Sequence, residues 1–148
     1  MPEARVIREN PTVYGNIVEL GYYTSPFNPD LIVNYTSHQA SGEKKKPSSL
    51  KLIGLGDCTD ETKIENRAEI HTVKLTARIT RLPEDITGSK CRFFFRTADG
   101  RKYIIGGNSK PYPVATATEY FPGDVSSASG FVLTVEYQGA HGVLRLMD

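Results

Sequence analysis

The sequence predicts an all-β domain, a β-sandwich or rolled β-barrel with at most one short helix. Three observations carry this. Apolar and polar residues alternate at period two, most clearly where Val73, Leu75, Ala77 and Ile79 oppose Lys74, Thr76 and Arg78. Gly, Pro, Asn and Asp recur between such runs at intervals that suit a sandwich or barrel. No window sustains a 3.6-residue apolar period over three turns.

Taken in order, residues 1–12 are charged and proline-flanked and read as an N-terminal arm. Residues 16–23 form a first strand, 24–30 a proline-containing loop, and 31–36 a second strand. Residues 37–48, with Gln39-Ala-Ser-Gly-Glu-Lys-Lys-Lys-Pro47, have too little apolar surface to pack and are expected to form a flexible loop. Residues 49–55 are strand-like, with Gly54 and Gly56 marking a bend. Residues 57–66 are acidic and polar and read as a loop. The alternating strand at 73–79 follows. Pro83 and Gly88 bracket one helical turn. After a hairpin at 91–105, a turn-rich connector leads to a strand at 114–120. A small-residue loop spans 122–130, and strands at 131–137 and 143–146 close the chain. This makes about eight strands in a single domain over 1–148.

The hairpin carries the most information. Asp99-Gly100 favours a two-residue turn with positive φ at both central positions. Ala98 would then face Arg101, Phe95 would face Ile104, Arg96 would face Tyr103 and Phe94 would face Ile105. Opposed residues share a face, so both faces bear large apolar groups and each needs a cover. Phe93, Phe95 and Ile104 are assigned to the core. Phe94, Tyr103 and Ile105, with Arg92 and Arg96, make a face that is aromatic and Arg-rich, the composition of an interface. These five are the candidate interaction residues, with burial under the N-terminal strands as the alternative.

Composition narrows the classes. The 148 residues carry 18 basic and 17 acidic side chains, a net charge of +1, whereas a dedicated nucleic-acid binder shows a basic excess. Neither an apolar leader nor a membrane-length run is present, so a cytoplasmic location is expected and no membrane partner. Cys58 and Cys91 are expected to be free thiols, two being a thin basis for a disulfide framework.

Chemistry is sought at several places and not found. His38, His71 and His141 stand too far apart in sequence to predict a metal cluster. Asp57-Cys-Thr-Asp-Glu61 offers oxygen ligands but lacks the spacing of a calcium loop, and reads as a solvated acidic turn. Cys58 with His71 or His141 would imitate a thiol nucleophile and base, without a supporting motif. Gly106-Gly-Asn-Ser-Lys110 lacks the ending and the following helix of a phosphate loop. No catalytic residue, cofactor or metal is therefore expected. Arg92-Phe-Phe-Phe-Arg96 resembles a nucleic-acid stacking platform, but also an ordinary β-core run. Sugar-binding modules usually stack on Trp or Tyr, and this chain has no Trp. Lys44-Lys-Lys46 is too short for a polyanion site.

The order of elements in the C-terminal half resembles small β-rich proteins encoded by integrated phages and related mobile elements. The matching pieces are 71–80, 83–88, 91–98, Asp99-Gly100, 105–106, 111–120, 122–130 and 131–137. The resemblance implies a structural role in a virion or tail-like assembly, with no catalytic residue carried over. The expected function is thus non-catalytic and structural, with self-assembly into a homo-oligomer or larger particle. The alternative is a β-module that binds nucleic acid or another ligand.

Overall fold

The computed structural model describes residues 12–24, 31–34, 37–43, 46–86, 91–107, 111–120, 130–139 and 141–147. Within them the protein is all-β. Eleven strands are present: β1 (Thr12–Tyr23), β2 (Ile32–Asn34), β3 (Gln39–Ser41), β4 (Ser48–Leu50), β5 (Gly56–Glu65), β6 (Ala68–Ile79), β7 (Arg92–Thr97), β8 (Lys102–Ile105), β9 (Val114–Tyr120), β10 (Gly130–Gly139) and β11 (Leu144–Met147). Of the expected helical turn at 83–88, residues 87 and 88 lie outside the described residues; within 83–86, Ile86 N donates to the Pro83 carbonyl at 3.4 Å. No described helix is long and apolar enough to cross a membrane.

All strands join one sheet in the order β2-β3-β11-β8-β7-β1-β5-β6-β10-β9, with β4 pairing β1 off this path. The β3–β11 pair is parallel and the others are antiparallel. The sheet is open: among the described residues β2 and β9 do not pair, so it is not a closed barrel. It is nevertheless rolled. β11 and β5 stand four places apart in the sheet, yet Val143 N, just before β11, donates to Asp60 Oδ2 on β5 at 3.1 Å. That contact crosses a seam where the two halves of the sheet meet.

The roll encloses the core. β6 alternates as its sequence predicts, with Val73, Leu75, Ala77 and Ile79 buried beside Leu133 and Val135 of β10 and Phe93 and Phe95 of β7. Each such large apolar side chain contributes about 1.5–3 kcal/mol on burial. A smaller cluster occupies the opposite face of β7 and β8: Tyr23, Leu31, Ala40, Phe94, Ile104 and Leu144.

The hairpin register differs from expectation by one residue. Phe95 pairs with Tyr103, Phe94 with Ile104 and Phe93 with Ile105. The loop has three residues, not two. Gly100 N donates to the Thr97 carbonyl and Thr97 N to the Arg101 carbonyl, while Gly100 holds φ at 89°. This is a type I turn closed by a glycine bulge. Thr97 Oγ1 also bonds the Asp99 carboxylate, which competes with the tighter turn.

Two further readings are corrected. The acidic segment from Asp57 is strand, not loop, and β5 pairs β6 through a two-residue turn at Asn66-Arg67, with φ of 51° and 65°. Its polar residues obscured the alternation, yet Gly56, Cys58 and Asp60 all point inward. Segment 37–48, expected to be flexible, holds β3 and the first residue of β4, with Ala40 buried. Lys44 and Lys45 lie outside the described residues, as do 1–11 of the expected arm and 122–129 of the expected loop.

Candidate functional site

The five predicted interaction residues do not form one surface. The register shift sends Tyr103 and Ile105 into the main core, while Phe94 enters the second cluster, each at most 8% exposed. A one-residue slip moves side chains to the opposite face, which is why the set divides. Arg92 is fully buried, ion-paired with Glu43, its guanidinium carbon 4.6 Å from the centre of the Tyr23 ring. Arg96 is half-buried, and its Nε lies 3.3 Å from Glu19 Oε2 on the paired strand β1. The second face of the hairpin is therefore covered by the chain's own Tyr23, Leu31, Ala40 and Leu144. With its phenylalanines buried and both arginines paired, the 92–96 run offers no stacking platform for nucleic acid.

The seam supplies a different constellation. Strand alternation on β6 puts Glu69 and His71 on one face, and pairing with β5 sets Thr62 directly opposite His71. Asp60 reaches the same place from β5. His71 Nδ1 lies 3.0 Å from Asp60 Oδ1 and 3.3 Å from Thr62 Oγ1, and its Nε2 lies 3.4 Å from Glu69 Oε2. Asp60 is 5% exposed and His71 4%. An ionised Asp60 only accepts, so it draws the His71 proton to Nδ1 while its second oxygen takes the Val143 N–H. Gly142 makes room for this carboxylate: a Cβ there would fall 1.9 Å from Asp60 Oδ2.

His38 arrives from the turn between β2 and β3, its ring centre 5.5 Å from that of His71. The turn is held by β11, whose Arg145 N donates to the His38 carbonyl at 2.9 Å. One ligating atom each of His38, Glu69 and His71 lie within 4.8 Å of one another. A cavity of about 230 Å³ opens on them and is also lined by Thr12, Tyr14 and Val143. His141 lies nearby and is fully engaged. Its Nδ1 is 3.1 Å from the Gly142 carbonyl and its Nε2 is 3.2 Å from the Tyr137 hydroxyl. Burial holds its pKa below the ordinary value.

Comparison of the chain with protein-family models, curated proteins and solved structures finds no match. The site is therefore read from its own geometry.

The three histidines, too scattered in sequence to predict a cluster, are brought to one seam by the roll of the sheet, where His38 and His71 stand with Glu69. Part of this was readable. Glu69-Ile70-His71 on a strand places an acid and an imidazole side by side. Nothing local signals His38, whose approach depends on long-range pairing. Cys58 is buried, and that burial, with Asp60 and Asp57 adding to it, pushes its thiol far up, so it is not poised as a nucleophile. Cys91 is likewise buried and both thiols are free. A larger cavity of about 380 Å³ beside the hairpin tip includes Asp99 and Arg101, whose side chains lie 3.5 Å apart.

Proposed function

We propose that this protein is a non-catalytic structural component that self-assembles through strand pairing, in the cytoplasm or in a virion- or tail-like particle. The edge strand β9 is the observation that carries this reading. It runs seven residues, Val114 to Tyr120, in unbroken register with β10. Among the described residues nothing pairs with its outer edge. Protein edges are usually blunted by lysines, prolines, bulges or short length. β2, the other edge, has only three residues, whereas β9 is longer, has no lysine, proline or bulge, and bears a single charge, Glu119, near its end. A second copy is the occupant that fits. An antiparallel pair centred on Ala117 would set Thr116 against Thr118 and Glu119 against Ala115, with no like charges opposed. Such a two-fold contact is self-complementary. The order of elements shared with phage-encoded β-proteins supports the same reading.

Light scattering over a concentration series tests it. The parent is expected to rise above its 16.4 kDa monomer mass with concentration. Thr116 and Thr118 are exposed, so T116K/T118K should leave the core intact and hold the chain monomeric. A parent that stays monomeric throughout, or a double variant that associates like the parent, overturns the proposal.

A further inference from the structure

We propose that His38, Glu69 and His71 bind one divalent transition-metal ion of the zinc class, with Asp60 as the positioning residue. This goes beyond the assembly reading and does not depend on it.

The geometry around His71 carries it. Both ring nitrogens face a carboxylate oxygen, Asp60 at 3.0 Å and Glu69 at 3.4 Å. A neutral imidazole has one N–H, and the buried Asp60 takes it at Nδ1. Nε2 faces the Glu69 oxygen, and a second proton on His71 or a metal ion would satisfy both; the His38 donor within 4.8 Å of the same atoms favours the metal ion. Two bonds of zinc length at a tetrahedral angle span about 3.4 Å, the separation Nε2 and Glu69 Oε2 already have. The His38 ring completes three ligands from the far side. Metal-bound histidines commonly donate their second ring N–H to a carboxylate, which is the part Asp60 plays.

The donor set decides the metal class. Two imidazoles and one carboxylate suit zinc and its first-row neighbours, whereas calcium and magnesium take oxygen ligands throughout. His141 is not a fourth ligand, since both its nitrogens have partners. The fourth position faces the cavity of about 230 Å³, which has room for water or a small anion. The bound ion would also close the seam. In the sheet, β11, β8, β7, β1 and β5 separate β3 from β6. Bonds to His38 at one side and to Glu69 and His71 at the other would fasten the open roll.

Cobalt(II) added to the chelator-stripped full chain is the test, because four-coordinate cobalt absorbs visibly. The expected result is one Co²⁺ per chain with an intense visible band, displaced by Zn²⁺, and a higher melting temperature with Zn²⁺ than without. His38→Ala and Glu69→Gln change residues outside the packed core. Each is expected to melt like the parent without metal and to lose the band, with affinity down at least ~100-fold given that even outer partners are worth 10–100-fold. No binding by the parent, or binding unchanged in both variants, overturns the proposal. Because binding is counted per chain whatever its state of association, its failure is distinct from failure of assembly.

Discussion

Phe94 illustrates how much one residue of register decides. A two-residue turn would set it beside Tyr103 and Ile105 on a face open to a partner. The three-residue turn sets it opposite Ile104, 5% exposed, against Tyr23, Leu31 and Ala40. Apolar content on both faces of the hairpin was legible in the sequence, and so was the need for a cover. Which residues shared a face was not, because Asp99-Gly100 serves both turn types and the Thr97 hydroxyl bonded to Asp99 lies outside the dipeptide. Phe94→Asp should therefore destabilise the chain rather than free it from a partner. A carboxylate buried among Tyr23, Leu31 and Ala40, with the neighbouring Arg92 already paired to Glu43, costs about 3 kcal/mol or more. Urea denaturation of the variant should show this loss at every protein concentration. A fully stable Phe94→Asp monomer would place that face outside the core.

At the scale of elements, strands with an apolar alternation were readable and strands with a polar one were not. β6 and β10 follow their patterns, whereas β5 reads as an acidic loop because its inward residues include Asp60. Its pairing with β6 is nevertheless tight, closed by Asn66 and Arg67 at φ of 51° and 65°. Both central residues of this turn type need positive φ. Asn tolerates that conformation, while Arg resists it through its Cβ. Arg67→Gly should relieve the strain. The outcome expected is stabilisation by about 0.5–1 kcal/mol, the gain of steric relief over the added freedom of the unfolded chain. Thermal melting checks the sign: a lower midpoint would mean that the Arg67 side chain holds more than its backbone costs.

For the whole molecule, the roll of the sheet is the feature that local pattern reading could not reach. Alternation says which residues point inward and is silent on which distant strands face each other across the seam. Asp60 is where that seam is bonded. Its carboxylate accepts from Val143 N at one oxygen and faces His71 at the other, packed over Gly142. Asp60→Ala would leave a buried backbone N–H without an acceptor and a buried imidazole without its carboxylate. Each such orphaned group costs about 1–3 kcal/mol, so the metal-free variant should lose about 2–6 kcal/mol in urea. Lys63→Ala, on an exposed position of the same strand, should change stability by no more than about 0.5 kcal/mol. Hydrogen exchange locates the effect. The Val143 amide and its β11 neighbours should exchange faster in Asp60→Ala, while the β6–β10 ladder keeps its protection relative to global unfolding. Equal losses of protection along β11 and β6 would mean that the seam opens only with the whole sheet, and that Asp60 supports the core rather than the closure of the roll.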